Sequence, residues 1–259
     1  VALLTALCNP FFRRVRISEH RTATPEADGE DTTERTDEGG KAVGSSAIPM
    51  LPAVSIIFTP HDNAEELSKN LPCYLGQHYP ADFQVIVVAP QNDHETSDVL
   101  KRFAGNSRLY TTFIPESSRY MSRKKLAVTL GVKAAKYEWV MMADIGCRPQ
   151  GDDWLRTIAG NCSDGRELVV GYTRYEDETP GYRRFERYYR ARYAMREYQH
   201  DRAYACPFNA LLFRRSIFLH EEGFRGNLKY LRGEFDFMVN KYAKGNNLAF
   251  ENSPEGTLI

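Results

Sequence analysis

At 259 residues, 42% hydrophobic and 12% aromatic, the chain carries enough apolar side chain for one sizeable packed domain. Its 34 Lys and Arg against 34 Asp and Glu leave no net charge, which argues against a nucleic-acid partner drawn by a bulk positive field. The five cysteines are odd in number and form no CxxC pair, so neither a disulfide framework nor a zinc site is suggested, and a reducing, cytosolic setting fits best.

The sequence opens on VALLTALCNPFF followed by RRVR, an apolar end with a positive flank. A membrane span needs about 20 apolar residues. Residues 1–17 are therefore expected to be the end of a membrane anchor completed upstream, with Arg13, Arg14 and Arg16 on the cytoplasmic side. Residues 18–47 hold Val43 as their only large aliphatic and no aromatic residue, so they cannot bury enough apolar surface to offset ordering, and read as a disordered linker. Residues 48–259 read as one domain, expected to continue past the last residue given.

Within that domain, β-branched runs ended by proline, VSIIFTP (Val54 to Pro60) and QVIVVAP (Gln84 to Pro90), predict strands. RLYTTFIP (Arg108 to Pro115) predicts a third. Between them, Asp62 or Asn63 caps a helix reaching Leu75 that Pro72 limits or breaks, and Asp93 caps a second helix over DHETSDVLKRF. Ser122 to Lys136 has leucine, valine and alanine at helical spacing and leads into Tyr137 to Pro149, YEWVMMADIGCRP. Its unbroken run Trp139 to Ala143 suits a strand covered on both faces, which delivers Asp144 at its carboxyl end, where open α/β sheets place their ligands. The alternation predicts an α/β fold with a mostly parallel, doubly wound sheet.

Further on, GDDWLRTIAGN reads as a helix and RELVVGYTRY as a strand. GYRRFERYYRARYAMREYQHDR reads as a helix that buries Phe185, Tyr189 and Tyr193 as an aromatic stripe and solvates Arg183, Arg187 and Arg190. Its functional alternative is a contact with anionic lipid headgroups or a lipid-diphosphate acceptor. FNALLFRRSIF is a strand entering a helix, and RGEFDFMVNKYAKG a helix closed by Gly245.

The order VSIIFTPHDN, QVIVVAP, SRKKLAVTLGVKAAKYEWVMMADIGCRP and RGEFDF, from Val54 to about Lys244, resembles an inverting family 2 glycosyltransferase of the GT-A fold, of the bacterial membrane-associated type. That resemblance implies transfer of a sugar from a nucleotide-sugar donor to a glycan or lipid-linked acceptor of the cell envelope, at the cytoplasmic face of the inner membrane. It places Thr59, Pro60, His61, Asp93, Lys124 and Asp144 at the donor, with Arg123 and Lys125 supporting Lys124 against the diphosphate. Asp144 is the expected ligand of a divalent Mg or Mn ion, Glu234 the expected base, and Asp236 its companion at the acceptor mouth. Two departures stand out. The loop after the second strand has Ala89-Pro90 where the family offers an aspartate, and the Asp-x-Asp motif reads Asp144-Ile145-Gly146. A catalytically degenerate relative that binds glycan, lipid or a protein partner is the alternative reading. A dinucleotide-dependent oxidoreductase is excluded because no GxGxxG follows the first strand.

Overall fold

The computed structural model describes Val15, residues 50–115, 122–163 and 165–259. The expected anchor (1–17) and linker (18–47) lie outside the described residues, apart from Val15. Among the described residues, no helix is long and apolar enough to cross a membrane.

The strands are β1 (Val54–Phe58), β2 (Phe83–Pro90), β3 (Leu109–Ile114), β4 (Trp139–Ala143), β5 (Leu168–Gly171), β6 (Ala210–Arg214) and β7 (Leu248–Glu251). They form one sheet in the order β3-β2-β1-β4-β6-β5-β7. All pairings are parallel except those of β6, which runs against β4 and β5. Helices α1 (Ala64–Leu75), α2 (His94–Arg102), α3 (Arg123–Ala134), α4 (Trp154–Ala159), α5 (Gly181–Tyr198), α6 (Arg215–His220) and α7 (Glu234–Tyr242) flank it. The fold is thus the expected mixed α/β class with a mostly parallel sheet. Period-two alternation sorts the strand side chains into two cores: Ile56, Val85, Val87 and Met141 face one way, Ile57, Ile86, Val88 and Met142 the other. Because helices cover both faces, β1, β2 and β4 are buried at every position.

Several local expectations change. Helix α1 runs through Pro72 to Leu75 because Leu67, Leu71, Tyr74 and Leu75 bury one face, which holds the last turn despite the missing N–H. Gly245 is not the cap of α7: that position is Ala243, and Gly245, at φ +59°, opens a 3-10 turn (Gly245–Asn247) into β7, a strand the sequence reading did not foresee. The largest revision concerns α5. Its buried face is Ala191, Ala194, Met195 and Tyr198, whereas Phe185, Tyr189 and Tyr193 are 60%, 40% and 40% exposed. Small residues allow the close approach to the sheet, so the aromatic stripe is left outward.

The order of strands fixes where ligands can sit. From β1 the chain moves outward to β2 and β3, then returns to the opposite side of β1 with β4, so the carboxyl ends of β1 and β4 flank a topological switch point. The start of α3 stands over that crevice and is anchored from behind. Ser122 caps it by accepting from the Lys125 N–H (3.3 Å) and donates its hydroxyl to Leu231 O (3.2 Å). Lys125 is 1% exposed, and its ammonium donates to Asn227 O (2.9 Å) and to Tyr230 O. The first turn of α3 therefore pins residues 227–231, which lead through left-handed Gly233 (φ +88°) into α7. Replacing Lys125 with Met keeps the volume but orphans those carbonyls, and we expect a loss of about 1–3 kcal/mol in denaturant unfolding. An unchanged midpoint and slope would show that the clamp contributes nothing.

Candidate active site

Asp144 is set by its backbone before its side chain acts. Its N–H extends the β4–β6 ladder to Asn209 O (3.1 Å), and Cys147 N–H closes a turn onto Asp144 O (3.0 Å). Helix α1 grips this turn from below: Asn70 Nδ2 donates to Ile145 O (2.7 Å) and Tyr74 Oη to Cys147 O (2.8 Å). Burial pushes the Tyr74 hydroxyl well above its ordinary range and raises the Cys147 thiol, so both stay protonated. Within the turn, Asp144 Oδ1 accepts the Gly146 N–H (3.0 Å), an Asx-turn, while Lys124 Nζ faces Oδ2 at 3.7 Å.

Five of the residues expected at the donor meet here. Thr59, Pro60 and His61 after β1, Lys124 from α3 and Asp144 after β4 line one cavity of about 240 Å³, together with Arg123 and Pro90. Asp93 does not line it. It borders an adjoining cavity shared with His61, Pro90 and Arg123, and its carboxylate is engaged as the cap of α2, accepting Thr96 N–H (2.9 Å) and Thr96 Oγ1–H (2.7 Å). Lys125 points away, into the clamp described above, so of the three consecutive basic residues only Arg123 and Lys124 face the crevice.

The donor set bears on the expected Mg or Mn ion. Asp144 offers one carboxylate, already facing an ammonium, and Gly146 supplies no side-chain oxygen. Among the described residues no three His, Cys, Asp or Glu side chains converge as a metal site. This arrangement does not fit a divalent ion held by a carboxylate pair. Gly146 is not in the left-handed region, and a Cβ there would lie 3.4 Å from Asp144 Oδ1, so space for a larger residue exists.

The two acidic residues of RGEFDF part company. Glu234 opens α7, is 5% exposed, and its Oε1 has no hydrogen-bond partner among the described residues. Phe235 beside it lies 6.0 Å under Lys124 Nζ, which ties the start of α7 to the crevice. Asp236 turns outward, accepts Cys206 N–H (2.7 Å), and lines a separate cleft of about 380 Å³ with Tyr189, Tyr193 and Tyr204. Neither carboxylate lines the cavity of about 240 Å³.

Sequence reasoning missed the far side of Asp144. A cavity of about 480 Å³ there is lined by Asp144, Arg148, Thr173, Glu176, Arg187 and Asn209, among others. Arg187, expected in solvent, instead folds back to donate from Nε to Thr173 O (3.1 Å). The signal available was weak: an arginine one turn before the small residues Ala191 and Ala194 lies on the face that packs inward.

No family model matches the chain, and no curated protein matches it in sequence. Solved structures do. The mannosyltransferase PcManGT from Pyrobaculum calidifontis, in complex with GDP-Man and Mn2+, superposes with a TM-score of 0.60 at 19% identity, over 81% of this chain and 57% of that one. S. aureus TarS 1-349 gives 0.53 at 13% identity, over 76% and 57%, and its complex with UDP-GlcNAc gives 0.51 at 12%, over 76% and 55%. The chain thus spans little more than half the length of these proteins. At such identities the likeness is one of architecture, and the mostly parallel α/β fold of this chain is GT-A-like.

Proposed function

We propose that this chain is a glycosyltransferase that moves a sugar from a nucleotide-sugar donor to a glycan or lipid-linked acceptor with inversion. The observation that carries the reading is the meeting of Thr59, Pro60, His61, Lys124 and Asp144 at the switch point of a GT-A-like sheet. Support also comes from the contents of two similar structures, one with GDP-Man and Mn2+ and one with UDP-GlcNAc. In this reading the base and ribose enter the crevice after β1, and the diphosphate arrives beside Lys124. The ammonium, held by Asp144 and partly shielded, compensates the charge that builds on the departing diphosphate. A metal ion would supply the same compensation; here no step is assigned to one. Glu234, buried and with an unpaired oxygen, is the proposed base for the acceptor hydroxyl.

A second reading, a degenerate relative that binds without catalysis, is favoured by the missing carboxylate at Gly146 and by the distance of Asp236 from the crevice. Two variants separate them. Lys124→Gln is expected to weaken UDP or GDP binding by about tenfold in calorimetry. Glu234→Gln should leave that binding intact while lowering transfer by about 10²–10⁴-fold. Nucleotide binding with no transfer by the unaltered chain to any acceptor tried would establish the degenerate reading, and no nucleotide binding would remove both.

Gly146→Asp probes the charge balance directly. Without metal, a second carboxylate next to Asp144 should repel the diphosphate and weaken nucleotide binding by about tenfold. With Mn2+ the pair becomes a ligand set and binding should recover. Equal affinity of the variant and the parent under chelation would contradict the cationic arrangement.

We further propose that residues 1–17 belong to an anchor in the inner membrane, with the domain on the cytoplasmic side and residues 18–47 as its tether. A flexible tether of that length would let the domain range roughly 30 Å. On cell fractionation, the full-length protein should sediment with membranes and a version starting at Ile48 should not. The same distribution for both would refute the anchor.

A further inference from the structure

Asp144 borders two cavities, and the second has an electrostatic character of its own. A chain of hydrogen bonds fixes it. Asp144 N–H donates to Asn209 O (3.1 Å), Asn209 N–H to Thr173 Oγ1 (3.1 Å), and Arg187 Nε to Thr173 O (3.1 Å). The Arg187 side chain is therefore held in register with Asp144 through the residues at the ends of β4, β5 and β6. Its guanidinium carbon lies 5.6 Å from the Phe208 ring centroid and 5.9 Å from that of Tyr175, which restricts it further.

What Arg187 lacks among the described residues is a counter-ion. Of the other cations on this cavity, Arg148 pairs with Glu176 (3.4 Å), Arg174 pairs with Asp177 (3.1 Å), and Lys69 is exposed to solvent. Among the described residues, no ion pair reaches Arg187. The groups that act on it are the phenols of Tyr175 and Tyr172 and the thiols of Cys147 and Cys206, and burial is the largest influence, lowering its affinity for the proton. Arginine keeps its charge under such conditions. A guanidinium drawn out of water, fixed through Nε and unpaired is unfavourable in isolation, and its remaining N–H groups form a fork suited to a carboxylate or phosphate.

We infer that the cavity across Asp144 from the nucleotide crevice binds an anionic group, carboxylate or phosphate, carried by the saccharide, and that Arg187 reads it. The identification of the ligand as a saccharide rests on the proposed glycosyltransferase reading; the anion site itself does not. The anion sits on the transferred sugar if the donor is a nucleotide uronate, or on the acceptor if that sugar is phosphorylated.

Calorimetry on the full chain decides the matter. Glucose, glucuronate and glucose 6-phosphate are titrated with and without saturating UDP or GDP, and UDP-glucose is compared with UDP-glucuronate. At least one charged ligand, glucuronate, glucose 6-phosphate or UDP-glucuronate, should bind at least about tenfold more tightly than its neutral counterpart. Arg187→Gln should abolish that advantage and leave UDP or GDP affinity within about twofold. An advantage confined to UDP-glucuronate over UDP-glucose puts the anion on the donor; one seen for glucose 6-phosphate beside bound nucleotide puts it on the acceptor. Equal binding of charged and neutral sugars in every comparison, free and nucleotide-linked alike, or an advantage that survives Arg187→Gln, overturns the inference. Should Arg187→Gln fail to fold by circular dichroism, Arg187→Lys takes its place: a loss of about threefold or more in the advantage, from the missing fork, supports the inference and an unchanged advantage overturns it. Failure of both nucleotides to bind would defeat the glycosyltransferase reading, while the nucleotide-free titrations would still decide the anion site.

Discussion

The site depends on a single ionic contact across a sheet crevice, Lys124 from the first turn of α3 facing Asp144 at the end of β4. Each partner is held by packed structure behind it. Asp144 follows a fully buried strand and heads a turn gripped by Asn70 and Tyr74. Lys124 is placed by its buried neighbour Lys125, whose ammonium is bound by main-chain carbonyls of residues 227 and 230. The two side chains are 42% and 36% exposed, so their mutual attraction contributes little to stability. Its consequence is local: a fixed positive charge beside a carboxylate, where a carboxylate pair would otherwise gather a metal.

That arrangement is compatible in physical terms with a glycine at position 146. With an ammonium already facing Asp144, a second acidic side chain would add negative charge at the proposed diphosphate position. The same clamp reaches Glu234, the proposed base, since residues 227–231 lead directly into α7. Lys124, proposed to compensate the donor's charge, and the proposed base are thus mounted on one packed unit, consecutive residues of α3 facing the crevice and the clamp in turn.

Much of this was legible in the sequence. Unbroken apolar runs ended by proline gave β1 and β2, and the aspartate after the run Trp139 to Ala143 marked the crevice, because a strand buried on both faces has its polar neighbours only at its ends. Asp93 was recognised as a cap, and its carboxylate is engaged as one. What could not be read was direction and facing. Periodicity in α5 showed an aromatic face and an arginine face, yet the inward face is that of Ala191 and Ala194, with Arg187 one turn before them, because close approach to the sheet needs small side chains. Arg187 and Lys125 look like surface cations in one dimension, and only the tertiary arrangement of carbonyls around them shows otherwise. The reversed direction of β6 and the short β7 likewise follow from long-range pairing, not from local pattern.

The central claim is that the charge of the donor diphosphate is met by Lys124 beside a lone carboxylate, without need of a divalent ion. Titrating UDP and GDP into the unaltered chain by calorimetry, first with Mn2+ and then with excess chelator, tests it most directly. The account predicts affinities that agree within about twofold under the two conditions. A loss of about tenfold or more on chelation would contradict it.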